Sequence, residues 1–299
     1  MSDLHGVLVL DKPQGISSAA AVDKVKRALG VSRAGHGGTL DPIATGVLAV
    51  CLGAATKLAG YLLADDKEYE ATGELGVEMD TLDRTGLVTR TRAEEASQVT
   101  RDALLHALVG RSGAQMQVPP MYSAIKKDGV RMYQMARAGG ESERDARPIR
   151  IDRLELGAFA PPRFVLTIAC SKGTYVRSLL ADIGNDVGCG ANMTALRRTR
   201  SGKFAIAQAT TLDDVLAGRF DPAQLVALKD AVSLPIVVVS GDQISTIKSG
   251  VQVPVERMGA ENLEKFQFVD GEGRMLAIAH AHEGKVVYDR VLPEMFREP

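Results

Sequence analysis

The chain has 299 residues, a net charge of −1, 45% hydrophobic residues and 24% charged residues. That length exceeds what one compact core usually holds, so two domains are expected. The near-neutral balance excludes a uniformly basic nucleic-acid coat. Cys51, Cys170 and Cys189 form no CxxC pair, which excludes a disulfide framework and a zinc ribbon. No apolar run reaches the roughly 18 residues of a membrane span, and the N-terminal run to Pro13 lacks a signal-peptide pattern. A soluble, cytoplasmic protein is expected.

In chain order, Gly6 to Leu10 reads as a short buried strand ending at Asp11-Lys12-Pro13. Ser17-Ser18 offers a cap to a helix whose Ala21, Val22, Val25, Ala28 and Leu29 share one face, and Gly30 ends it. Strands are expected at Gly46 to Leu52 and from about Lys67 to Leu75, with a helix from about Ala54 to Leu63 between them. Glu78 to Thr85 is polar and reads as a loop, and Val99 to Val109 has helical spacing. Residues 112–150 carry Pro119-Pro120, Gly139-Gly140 and mixed charge. They are expected to be a mobile insertion, interrupted by a short helix near Val130 to Ala138. IDRLELGAF and FVLTIACS follow as strands, Gly173 to Val187 as a helix, and Met193 to Leu196 and Phe204 to Ile206 as strands. Adjacent strand pairs among irregularly spaced helices indicate an α+β fold with a mixed, largely antiparallel sheet. From Leu234-Pro235 onward, short Val/Ile-rich runs suggest a small β-rich module. Residues 1–233 and 234–299 are the two expected domains.

Charge is uneven: the segment from Met121 to Lys203 holds fifteen Lys/Arg against eight Asp/Glu. Such segregation suits a localised phosphate-binding face, with Arg197, Arg198, Arg200 and Lys203 as its expected grip.

The densest motif is Gly35-His36-Gly37-Gly38-Thr39-Leu40-Asp41-Pro42-Ile43-Ala44-Thr45-Gly46-Val47-Leu48. Its glycines permit close approach to the main chain, and Pro42 pushes Asp41 away from helical geometry. A carboxylate held on a rigid turn, facing outward at the mouth of a cleft, is the expected result. The stretch closely resembles the signature loop of the TruB-type tRNA pseudouridine synthases, usually GHTGTLDPLATGVL. Gly37 replaces threonine, which should loosen the turn a little, and Ile43 replaces leucine. Five further segments resemble the same family in order: Leu10-Asp11-Lys12-Pro13, Lys67-Glu68-Tyr69, Pro119-Pro120-Met121-Tyr122-Ser123-Ala124-Ile125-Lys126, Cys170-Ser171-Lys172-Gly173-Thr174-Tyr175-Val176-Arg177, and Gly188-Cys189-Gly190-Ala191 with Leu196-Arg197-Arg198.

The resemblance implies the pseudouridine synthase fold, with a PUA-like module over 234–299. It further implies isomerisation of a tRNA uridine, uridine 55 of the T-loop, to pseudouridine. Asp41 would be catalytic, attacking ribose or base. Tyr69 would lie against the flipped base, whose eversion costs a few kcal/mol that stacking offsets. Tyr175 would supply a second wall or a hydroxyl contact, Leu196 would close the pocket or offer backbone to the uracil edge, and His36 would bind the RNA backbone or prise the base out. Arg177, as neighbouring cation, would keep Asp41 ionised, and Lys12 would support the site or bind phosphate. Isomerisation needs no cofactor and no metal. The T-arm of tRNA is the implied partner of a monomer with no obligatory protein partner. Tyr122 and Tyr133 read as half-buried core rings, and His280 and His282 as incidental surface histidines.

Overall fold

The computed structural model describes residues 4–122, 126–127, 130–131 and 144–296. Its centre is a ten-stranded sheet built from β1 (Gly6–Lys12), β2 (Ala34–His36), β3 (Thr45–Leu52), β4 (Lys67–Leu75), β7 (Gly113–Gln117), β10 (Arg147–Ala160), β11 (Arg163–Cys170), β12 (Ala191–Ser201), β13 (Phe204–Ala205) and β14 (Thr210–Thr211). The main order is β14-β1-β3-β12-β4-β11-β10-β7. Only the β14–β1 and β3–β12 pairings are parallel; β1–β3 and the run from β12 to β7 are antiparallel. The expected mixed, mainly antiparallel α+β architecture is therefore present. Two short ribbons lie apart from this sheet: β5 (Val77–Met79) with β6 (Val88–Thr91), and β8 (Lys126–Lys127) with β9 (Val130–Arg131).

Strands β1 and β3 are apolar at almost every position because both their faces are covered. Leu8, Leu10, Leu48, Val50 and Leu52 join one core with the helices Ser18–Ala28 and Val176–Asp186. The alternate residues Val7, Val9, Val47, Ala49 and Cys51 face the opposite way. There they meet Leu58 and Leu62, and also Met275, Ile278 and Leu292 from the C-terminal part. That part is a separate four-stranded sheet, β15 (Ile236–Val239), β16 (Lys265–Asp270), β17 (Met275–His282) and β18 (Lys285–Val291), in that order. It has a core of its own around Phe266, Phe268 and Val286.

Several sequence expectations need correction. Residues 112–150 are not all an insertion outside the core, since Gly113–Gln117 and Arg147–Ile151 pair as the edge of the central sheet. Of the helix expected at Val130 to Ala138, Val130–Arg131 is a strand and the remainder lies outside the described residues. Gly53–Leu58 winds as a tight 3₁₀ turn before the short helix Ala59–Leu63, rather than one continuous helix. Within the expected loop at Glu78 to Thr85, Glu78 and Met79 pair with Arg90 and Val88.

The C-terminal sheet is tied to the central one by polar contacts as well as by shared apolar surface. Glu294 pairs with Arg33 and with Lys57 Nζ, the latter at 3.2 Å. Asp289 accepts from Tyr61 Oη at 3.1 Å while also meeting Lys265 and His280. The Arg33 and Lys57 cations hold the Glu294 carboxyl down at about 2, against its ordinary 4.5. The shift is downward, so its stabilisation is present above pH 4.5 and is lost as the pH falls toward 2. Discounted for the half-exposed Arg33, Glu294→Gln should cost about 1–2 kcal/mol at neutral pH. Urea unfolding across pH 2–7 checks this: the gap from the parent protein closes at the acid end.

Candidate active site

The Asp41 turn is clamped from both sides. Ser18, at the start of its helix and buried, accepts from Leu40 N at 2.8 Å and donates to Leu40 O at 3.0 Å. On the other side Gly15 N donates to Pro42 O at 2.8 Å, and Ala44 N closes the turn onto Asp41 O at 3.0 Å. Lys12, fully buried, donates from Nζ to the carbonyls of Pro13 and Ile16, both at 2.8 Å. It thus fixes the loop that carries Gly15. Its ammonium has no exposure and two backbone acceptors, an arrangement suited to supporting the turn. Burial pushes its ammonium down to about 8, opposed by the nearby Asp41 carboxylate. Gly37 packs closely against Leu62. A Cβ there would lie 2.5 Å from Leu62 Cβ, so glycine is what lets the turn pack against that side chain.

Arg177 meets Asp41 from the first turn of the helix Val176–Asp186. Its Nε lies 2.9 Å from Asp41 Oδ2, and its side chain is only 5% exposed. The rest of the guanidinium is also engaged, Nη1 with Thr81 O at 2.9 Å and Nη2 with Tyr122 O at 2.9 Å. Asp83 Oδ2 stands 3.6 Å from Nη1. Asp83 is itself held by Thr81 and Thr85, with Thr85 N donating at 2.9 Å. The helix start is set by Gln117 on β7, which accepts from Tyr175 N at 2.8 Å and donates to Tyr175 O at 3.1 Å. Burial pushes the Asp41 carboxyl above its ordinary value; Arg177 and, more weakly, Lys12 oppose this, while Asp83 adds to it. The arginine, expected to keep Asp41 ionised, thus opposes the effect of burial and offsets it only in part.

Asp41 and Arg177 open onto a cleft of about 270 Å³, also lined by Leu63, Lys67, Tyr69, Tyr122, Tyr175, Leu196 and Arg198. Five of the seven expected site residues, Asp41, Tyr69, Tyr175, Arg177 and Leu196, therefore come together from four chain segments. Lys12 sits beneath them, and His36 lies on β2 opposite Val50, away from the cleft lining. Tyr69 and Leu196 reach the cleft from the neighbouring antiparallel strands β4 and β12. The Tyr69 phenol is driven upward by burial and drawn back by the nearby Arg198 guanidinium.

Four residues at the site escaped the sequence reading: Ser18, Asp83, Gln117 and Tyr122. Tyr122, half-buried as expected, also lines the cleft and accepts from Arg177 through its carbonyl; Tyr133 lies outside the described residues. The expected phosphate grip also changes character. Arg198 is 1% exposed, with Nε donating to Val47 O at 2.7 Å and Nη1 to Thr39 O at 3.3 Å. Arg197 pairs with Asp11 at 2.8 Å and Arg200 with Glu68 at 3.0 Å. Lys203 donates to the carbonyls of Asp230 and Val232. Each of these cations thus already has acceptors within the protein. His280 Nδ1 lies 2.8 Å from Asp289 Oδ1 on the neighbouring strand of its own sheet, the carboxylate that also accepts from Tyr61.

Residues 26–176 match the family described as TruB family pseudouridylate synthase (N terminal domain). The chain belongs to that family. Residues 177–232 match the tRNA pseudouridylate synthase B C-terminal domain. A tRNA pseudouridine synthase B of Thiobacillus denitrificans is 42% identical over 97% of this chain and 96% of its own. That of Pseudomonas aeruginosa is 51% identical over 210 residues, 70% of this chain and 68% of its own. Among solved structures, a chain of a Cbf5-Nop10-Gar1 complex superposes with a TM-score of 0.75 at 25% identity, covering 99% of this chain and 88% of that one. This TruB-family chain is thus a pseudouridine synthase, an isomerase, with the fold of that class.

The clamp on Leu40 yields a prediction for this enzyme. Ser18→Ala removes both hydrogen bonds to Leu40 and should cost about 1–2 kcal/mol of stability. Turnover should fall further than RNA affinity does, because the displaced group is Asp41. Thermal melting, RNA binding and turnover measured on one preparation separate the two effects.

Proposed function

We propose that the chain converts a tRNA uridine to pseudouridine, at position 55 of the T-loop, with Asp41 as the catalytic group. The observation that carries this reading is Asp41 on a clamped turn, joined to a buried arginine, at the mouth of a cleft walled by Tyr69, Tyr175 and Leu196. The names of the relatives, tRNA pseudouridine synthase B, supply the substrate class.

A uridine within folded RNA is stacked, so the glycosidic bond becomes accessible only when the base is everted. In this reading the everted uracil enters the cleft and packs on the Tyr69 ring, which offsets part of that cost. Tyr175 and Leu196 close the opposite side. Asp41 then attacks the nucleoside, or otherwise assists rupture of the N1–C1′ bond, and any bond it forms breaks again before the product leaves. The freed uracil turns within the cleft and rejoins C1′ through C5. Loss of the C5 proton and gain of one at N1 complete an isomerisation in which no redox equivalent is consumed.

His36 stands on β2, two residues before Gly38 of the cleft wall, where it meets the RNA backbone as the base leaves its stack. The enzyme acts as a cytoplasmic monomer on the T-arm, without an obligatory protein partner, and the module at 234–299 makes a narrow RNA contact. Similarity favours stand-alone action: the tRNA enzymes are 42–51% identical, against 25% for the chain from the Cbf5-Nop10-Gar1 complex.

Purified protein incubated with unmodified tRNA transcript should form pseudouridine without added cofactor, as mapped along the RNA. Asp41→Asn should abolish product while leaving RNA binding within about twofold; retained product formation would remove Asp41 from the chemistry. The active form of Asp41 is ionised and its carboxyl is raised by burial. Activity should therefore be present above that raised value and fall as the pH drops through it. A kcat/KM profile on the free enzyme should place the acid limb above the ordinary carboxylate range.

A further inference from the structure

The carboxylates at the site, Asp41 and Asp83, both face Arg177. Arg198 is 1% exposed, and no ion pair joins it to a carboxylate among the described residues. Carbonyl oxygens hold it instead, Val47 O on Nε and Thr39 O on Nη1, and Nη2 has no acceptor among the described residues. A buried cation held by dipoles alone is costly. Its retention asks for a negative charge that the resting protein does not supply.

The guanidinium is fixed close behind the cleft wall. Its two carbonyl partners stand on either side of Asp41 in the chain, so it is bound to both ends of that turn. Gly38 lines the cleft, and a Cβ there would lie 3.6 Å from Nη1 and 3.9 Å from Nη2. Arg198 also stands across the β4–β12 ladder from Tyr69, and both residues line the cleft. Two other buried cations, Lys12 and Lys67, are bound to carbonyls as well. Burial pulls both ammoniums down to about 8, so each can shed its proton, which a guanidinium cannot. Arg198 is therefore a permanent charge on a rigid frame.

When the N1–C1′ bond breaks, its electron pair stays with uracil, spread over N1, O2 and O4. The ring's electrons then form the C5–C1′ bond, so the negative charge is transient. A fixed charge in a site poor in water acts on such a transient without having to reorganise. We infer that the unpaired charge of Arg198 stabilises the uracil while it is detached from the ribose. The charge acts from behind the wall, with no bond to the Tyr69 phenol, and leaves the stacking assigned to that ring unchanged. This inference rests on reading the cleft as the seat of isomerisation.

Single-turnover consumption of the target nucleoside by the full-length enzyme tests it. Ordinary tRNA transcript is compared with transcript carrying 5-fluorouridine, whose fluorine draws charge from the detached base. Arg198→Gln should slow the uridine reaction at least about tenfold, with RNA affinity within about twofold. On 5-fluorouridine the same variant should lose at least about threefold less, because that base needs less outside stabilisation. Arg198→Lys, which keeps a charge but not the planar fork, should recover most of the lost rate. An equal deficit on the two bases, or a lysine variant as slow as the glutamine one, would overturn the inference and leave Arg198 a brace for the Asp41 turn. An active Asp41→Asn variant would sink the underlying reading instead. If Arg198→Gln does not fold, Arg198→Met, whose apolar chain is easier to bury, carries the same comparison. A last measurement needs no variant: 5-nitrouracil, ionised at neutral pH, should inhibit the parent enzyme at least about tenfold more tightly than uracil. Inhibition no tighter than that by uracil would overturn the inference.

Discussion

The contact between Asp41 and Arg177 governs the design of this molecule. A carboxylate half-removed from water is costly unless a cation meets it, and a guanidinium almost wholly buried is costlier still unless its donors are used. The chain satisfies the arginine with Asp41, Asp83 and the carbonyls of Thr81 and Tyr122. Those groups come from separate stretches of chain, so forming the ion pair requires the turn, the polar ribbon region, the Tyr122 segment and the helix Val176–Asp186 to dock together. The central sheet makes that possible. It buries both faces of β1 and β3, and it sets β4 beside β12, so the tyrosine and leucine of the cleft arrive on adjacent strands.

The balance at Asp41 is deliberately incomplete. Burial pushes the carboxyl upward and the arginine pulls it down, with burial prevailing. On the proposed reading of Asp41 as the nucleophile, a carboxylate tied too tightly to its counter-ion would be stable and inert. One raised by its surroundings is more basic and hence more reactive once ionised. The supporting network can thus hold the group in place without quenching it.

Much of this was legible in the residues. The Asp41 turn is marked by its glycines and Pro42, and β4 runs over the same span, Lys67–Leu75, that alternation suggested. The Ser17 cap and the end of the first helix beside Gly30 also fall where local chemistry places them. What could not be read was whatever depends on a distant partner. Asp83 looks like one more acid in a polar stretch until Arg177 is folded against it. Gln117 looks like a loop residue until it brackets Tyr175. Counting charge could not show, for the same reason, that Arg197, Arg198 and Lys203 all meet internal acceptors. The short helices Ala93–Gln98 and Asp242–Ser249 lack a long apolar stripe, the feature that periodicity detects.

Gly46 sits opposite Arg198 where β3 and β12 run in parallel, with φ of 100° and room for no side chain, since a Cβ would fall 2.2 Å from the Arg198 carbonyl oxygen. Every heavier residue would wedge these two strands apart. Because one strand leads out of the Asp41 turn and the other carries Leu196, a single added methyl group would push apart two strands that carry the cleft. The spacing of these two strands is therefore set by the absence of an atom.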